Sequence, residues 1–97
     1  MTPSEPPGSQ RVDRWLWFAL FFKSRSQASR LCAAKRVRVN RRRIDKAHAL
    51  VRIGDVLTFP QGDRIRVVRV TALGSRRGPA ADARTLFDDL DAEEAGL

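Results

Sequence analysis

The chain has 97 residues, with 19 Lys and Arg against 11 Asp and Glu, a formal net charge of +8 and one cysteine. A chain of this length forms a small core and encloses no large substrate cavity. A lone cysteine excludes an internal disulfide, and the longest apolar run, Trp15 to Phe22, has eight residues against the roughly twenty a bilayer requires, so the reading is a cytoplasmic protein with no membrane partner.

The charge is unevenly distributed. Arg11 to Arg77 holds eighteen basic and four acidic residues, for +14, whereas Gly78 onward holds six acids and one arginine, for −5. The chain is a basic body with an acidic tail. Met1 to Gln10, with three prolines, a glycine and two serines, reads as a disordered leader over 1–10.

Val12, Trp15, Leu16, Ala19 and Phe22 recur at the spacing of one helical face, which predicts a first helix from about Arg11. Trp15, Leu16 and Phe22 belong in the core. Trp17 and Phe21 point to the other side and either pack under a C-terminal helix or stack on bases. Ser24 followed by Gln27 fits a capping box, and a second helix puts Ala28, Leu31 and Cys32 on its buried face. The stretch from Lys23 to Lys46 holds ten basic residues and one acid, Asp45. Like charges at that density repel one another and are tolerated where a polyanion neutralises them.

Val37 and Val39 alternate around Arg38 as in a strand, and Asn40-Arg41 reads as a turn. Ile44, Leu50, Val51 and Ile53 are further core candidates, followed by a turn at Gly54-Asp55 and a strand over Val56 to Phe59. Pro60 to Asp63 is another turn. From Arg64 to Leu73 the apolar phase shifts between Val67 and Val68, which predicts a bulge. Beyond Gly78-Pro79, the stripe Ala83, Leu86, Phe87 and Leu90 predicts a third helix, whose acidic last turns fray.

Four motifs in this order resemble the S4-like RNA-binding domain: Arg11-Val12-Asp13-x-x-Leu16, Ser26-x-Ala28-x-x-Leu31, Val37-x-Val39-Asn40, and Val51-x-Ile53-Gly54-Asp55-x-Leu57. Asp13 to Trp17, Phe21 to Ser26 and Ser75 to Ala80 are further similar to the ribosome-associated heat shock protein 15 family. The resemblance implies an α+β fold, with two N-terminal helices (the αL motif) packed on a small, mostly antiparallel sheet and a C-terminal helix. The corresponding domain plan is a leader over 1–10, an S4-like domain over 11–77, and a C-terminal helix with acidic tail over 78–97.

The resemblance also implies a partner and a surface. The partner is structured ribosomal RNA, on large ribosomal subunits that carry a stalled nascent chain attached to tRNA, bound by a monomer in ribosome rescue or recycling. The RNA-binding residues carried over are Arg11, Lys23, Arg25, Ser26, Arg30, Lys35, Arg36, Arg38, Asn40, Arg41, Arg42 and Arg43, converging on one concave face. Where the family has glycines before the valine strand and after the asparagine, this chain has Ala34-Lys35 and Arg41. Arg41 therefore strains the turn by about 1 kcal/mol or accompanies a longer loop.

Other readings are weaker. Two short basic helices also suit a helix-turn-helix DNA-binding protein, and the basic surface suits a module docking an acidic protein. Catalysis lacks a nucleophile and base pair, no GxxxxGK loop is present, and His48 has no ligand-spaced cysteine, so neither an enzyme, a cofactor nor a metal is expected.

Overall fold

In the computed structural model, which describes residues 8–75 and 77–90, the chain enters the fold at Ser9, two residues before Arg11, where order is expected to begin. Ser9–Arg11 forms β1, which pairs antiparallel with β4, Leu50–Arg52. Gln10 is buried, and its side-chain amide donates to the Gly74 carbonyl at 2.6 Å while its oxygen accepts from the Gly74 N–H at 3.1 Å. Met1 to Pro7 of the expected leader, and Asp91 to Leu97 of the acidic tail, lie outside the described residues.

Helix α1 spans Val12–Phe18 and α2 spans Arg25–Ala33. Both end on non-glycine residues in the left-handed region. Leu20 has φ 64°, with bonds from Leu20 N–H to the Trp17 carbonyl and from Phe21 N–H to the Leu16 carbonyl; Lys35 has φ 63°, with the equivalent bonds to Cys32 and, from Arg36, to Leu31. Each is a Schellman ending that satisfies the last carbonyls. The early stop releases Phe21 from the helix and lets it drop into the core, its ring centroid 4.9 Å from Phe59 and 4.7 Å from Phe87. Of the two uses open to Phe21, packing is the one realised. Trp17 stays half-buried, with the Arg77 guanidinium 5.1 Å from its ring and bonded to the Trp17 and Phe22 carbonyls.

The remaining strands are β2 (Val37–Val39), β3 (Arg42–Ile44), β5 (Val56–Gln61), β6 (Arg64–Val70) and β7 (Phe87–Asp89). They form a five-stranded antiparallel sheet in the order β3-β2-β5-β6-β7. Val37, Leu57, Phe59, Val68 and Val70 bury one face of it with Val12, Trp15 and Leu16. Trp15 is fully buried and donates its indole N–H to the Ala72 carbonyl at 2.9 Å, so its burial leaves no donor unmet.

Several expectations need correction. The expected bulge is absent: β5 and β6 pair without interruption from Val56 with Arg69 to Gln61 with Arg64. The apolar residues simply occupy both sheet faces, Val68 and Val70 inside and Ile65, 61% exposed, outside. Leu50 is exposed because it alternates with Val51, which points inward opposite Gln10, and Ile53 is exposed because β4 ends at Arg52 and Ile53 lies in the turn before Gly54. The third helix exists but is short, α3 at Ala80–Arg84, and Phe87 to Asp89 turn into β7. The open β6 edge supplies hydrogen bonds to that segment, from Leu90 N–H to the Val67 carbonyl, and Arg66 meets Asp89 at 3.0 Å. An acidic helix C-terminus would gain neither.

Candidate nucleic-acid interface

At the centre of the helix pair is a buried carboxylate. Asp13, whose side chain is 1% exposed, accepts from Arg11 Nε at 3.1 Å and Nη2 at 2.9 Å, from Ser29 Oγ at 2.8 Å, from Arg25 Nε at 3.4 Å and from the Arg14 N–H at 2.8 Å. Burial works to raise its pKa, but the hydrogen bonds from Arg11 and Ser29 and the charges of Arg11 and Arg25 outweigh it and hold the carboxyl below its ordinary value. The acid therefore stays ionised and fixes the two guanidinium groups in place. Arg11, Arg25, Ser26, Ser29 and Arg30 line one shallow depression around it.

The α2 end of that depression is built by the capping box. Ser24 Oγ accepts from the Gln27 N–H at 3.2 Å, and Gln27 Oε1 accepts in return from the Lys23 N–H at 3.1 Å. Arg25 and Ser26 thus start the helix next to Asp13. On the other side, Arg11 pairs across the β1–β4 ladder with Leu50, and Leu50 shares a second depression with Asn40, Arg42 and Ile44. Direct cross-strand partners project to the same face. A track thus runs from Arg42 past Leu50 and Arg11 to Arg25, Ser26 and Arg30.

Of the other expected residues, only Asn40 lies beside that track. The hairpin β2–β3 turns through Asn40 and Arg41, both left-handed at φ 51° and 72°, so Arg41 occupies the strained tight turn and not a longer loop. Strand alternation then separates the run of arginines: Arg42 pairs with the inward Val39, while Arg43 pairs with Arg38, and both point away from the helices. Lys35, Arg36, Arg38 and Arg43 line a groove with Thr58, Pro60 and Ile65 on that outer side, and Arg41 lies beside Val56, Thr58 and Arg69. The expected single concave face is therefore two faces. Lys23 stands exposed at the elbow between the helices.

Asn40 also has a structural part. Its Nδ2 donates to Asp55 Oδ1 at 2.9 Å and its Oδ1 accepts from the Val56 N–H at 2.9 Å, while Asp55 Oδ2 accepts from the Arg52 N–H at 2.9 Å. These bonds lock the hairpin against the Gly54-Asp55 turn, where Gly54 has φ 98°. Sequence reasoning missed Ser29 and the positioning part of Asp13, although Ser29 follows Ser26 by three residues on the same helix face. Arg69 was missed because it is brought in only by the β5–β6 pairing. Cys32 is buried, and burial, with the Asp13 charge, pushes its thiol up to about 12. Among the described residues, no cluster of His, Cys, Asp or Glu suits a metal, and no helix is long and apolar enough to cross a membrane.

The S4 domain family model matches residues 10–57, from β1 into β5. Heat shock protein 15 of Escherichia coli (strain K12) is 34% identical over 85 residues, 88% of this chain and 63% of the relative. The heat shock protein 15 homolog of Aeromonas salmonicida is 33% identical over 90 residues, 93% of this chain and 67% of that one. The chain belongs to the S4 domain family, in its heat shock protein 15 branch. It spans about 63% of the length of the Escherichia coli relative. A trimeric structure of Vibrio cholerae heat shock protein 15 matches this S4 fold with a TM-score of 0.82 at 28% identity, covering 91% of this chain and 88% of that one. The Asp13-centred depression lies wholly inside the matched S4 segment, whereas Ile65 and Arg69 lie beyond it.

Proposed function

We propose that this S4 domain protein binds structured ribosomal RNA through the track Arg42, Arg11, Arg25, Ser26 and Arg30. The carrying observation is the buried Asp13, which holds Arg11 and Arg25 in fixed orientation next to the start of α2. Guanidinium groups fixed in advance lose little side-chain entropy on meeting phosphate, and their planar forks match it with two hydrogen bonds. The protein acts by binding, not by chemistry, in the cytoplasm. Its resemblance to the heat shock protein 15 family supports a site on large ribosomal subunits that carry a stalled nascent chain attached to tRNA, in rescue or recycling under stress. We take the binding unit to be a monomer, and sedimentation of the RNA complex tests this against the trimer solved for the Vibrio cholerae relative.

Binding of a structured ribosomal RNA fragment, titrated with salt in the presence of duplex DNA competitor, tests the reading. Some five phosphate contacts predict that a fourfold rise in salt weakens binding roughly a hundredfold or more. A flat salt response, or equal displacement by duplex DNA, would contradict it. Sucrose-gradient fractionation with and without ribonuclease then tests the ribosome association: the protein should leave the subunit fraction once the RNA is cut.

A further inference from the structure

The segment after β6 bears on the surroundings of both Arg11 and Arg25, and it lies outside residues 10–57, which carry the S4 match. Gly74 exchanges two hydrogen bonds with the side chain of Gln10, next to Arg11. Three residues on, Arg77 reaches the elbow between α1 and α2. Its Nη1 donates to the Trp17 carbonyl at 2.9 Å and to the Phe22 carbonyl at 3.1 Å, on either side of the reversal at Leu20, and its guanidinium lies over the Trp17 ring, 5.1 Å from the centroid. Helix α1 has no basic residue in its last turn, so the cation that favours a helix C-terminus comes from a residue 60 positions beyond Trp17. The Phe22 carbonyl and the Lys23 N–H belong to one planar peptide unit. Arg77 holds the carbonyl, and Gln27 Oε1 of the capping box accepts from the N–H at 3.1 Å. That unit joins Arg77 directly to the first turn of α2, where Arg25 begins the helix.

We infer that Arg77 is a positioning residue for RNA binding: it clamps the elbow between α1 and α2, and through the elbow it places Arg25 beside Arg11. The inference rests on the RNA-binding reading of the track. Asp13 of α1 meets Arg25 Nε at 3.4 Å and Ser29 Oγ at 2.8 Å only while the two helices keep their angle. That angle is set at Leu20, whose φ of 64° is one that a leucine does not favour by itself. The reversal therefore needs support from outside the helix pair. A guanidinium supplies it, bonding two carbonyls while its flat face lies on the indole. Arg77 has no place in the depression lined by Arg11, Arg25, Ser26, Ser29 and Arg30, so its effect on binding passes through Arg25.

Affinity of the full chain for a structured ribosomal RNA fragment, with Arg77→Met made alone and combined with Arg25→Ala, tests this. Arg77→Met should weaken binding about tenfold, because an arginine no longer held in place must be ordered on binding, and the salt dependence should keep its slope. Arg77 is exposed, and a phosphate contact of its own would instead lower that slope by about 0.7–0.9; a lowered slope, or an unchanged affinity, overturns the positioning role. In the Arg25→Ala background, Arg77→Met should weaken binding by less than about threefold. A full tenfold loss there shows that Arg77 does not act through Arg25, and overturns the inference. Hydrogen exchange reads the clamp without RNA: the Lys23 amide should exchange faster in Arg77→Met, while the amides of β5 and β6 keep the parent's protection. An unchanged Lys23 amide, or a loss of protection that extends through the sheet, overturns the clamp. Failure of the track is distinct: Arg25→Ala alone would bind as tightly as the parent, and the inference would fall with the track.

Discussion

Replacing Asp13 by Asn removes one charge and keeps the shape. The carboxylate accepts from Arg11, Arg25, Ser29 and the Arg14 N–H, and it is buried, while the Arg11 and Arg25 side chains keep 36% and 42% of their surface in water. Asparagine retains one acceptor for Ser29 or Arg14 but turns an amide N–H₂ towards the guanidinium groups. Charge-assisted bonds contribute about 1.5–3 kcal/mol each against 0.5–1.5 for neutral ones, and exposure of the two arginines lets water recover part of the loss. The expected cost is about 2 kcal/mol, or roughly 10 °C in the melting temperature of a domain this size.

The pH dependence carries the sign. Because Asp13 has a folded-state pKa below its ordinary value, its contribution is fully present above the unfolded value near ~3.9 and is lost as pH falls through the folded value. Thermal unfolding of parent and variant, followed by circular dichroism, should therefore give a constant gap from about pH 7 down to about pH 5, closing towards about pH 3 and below. A gap that is absent at neutral pH, or that persists unchanged in acid, would refute the view that an ionised Asp13 organises the track.

Other consequences follow from single contacts. Gly74→Ala should destabilise by about 1–3 kcal/mol in denaturant unfolding, because a Cβ there meets the Phe18 side chain at 2.6 Å. Arg41→Gly should leave stability unchanged or raise it by up to about 1 kcal/mol by relieving the left-handed turn, yet lower RNA affinity; chemical denaturation and filter binding measure the two separately. Cys32 should resist a thiol reagent at mildly alkaline pH in the folded protein and react promptly in denaturant, since only the thiolate is nucleophilic and burial holds it protonated. Deleting Ala92 to Leu97 removes Glu93 and Glu94 from the end of a chain that passes Arg41 and Arg69 at Leu90; RNA binding at low salt should tighten, and no change would show that the tail does not compete.

Much of the frame is legible in local signals. The Ser24-Gln27 capping box, the buried stripe Val12-Trp15-Leu16 and the Gly54-Asp55 turn each act within a few residues, and each is found in the fold. The end of α1 is not legible, because Leu20 adopts a conformation that usually announces itself with glycine. The stripe Ala83-Leu86-Phe87-Leu90 is helical in period, but the partner that converts its second half into β7 is a strand about twenty residues earlier in the chain. The division of the basic run depends on register. Arg42 and Arg43 are neighbours in sequence and opposites in the sheet, and only the pairing of β3 with β2 decides which face each one serves.

The track itself is tested most directly by reversing charge where no internal contact is lost. Arg30 and Arg42 are exposed at its two ends. Affinity of the Arg30→Glu, Arg42→Glu double variant for a structured ribosomal RNA fragment, at a salt concentration where the parent binds well, should fall by about a hundredfold with a shallower salt dependence and an unchanged melting temperature. A double variant that binds as tightly as the parent, with the same salt dependence, would contradict the assignment of this surface to RNA.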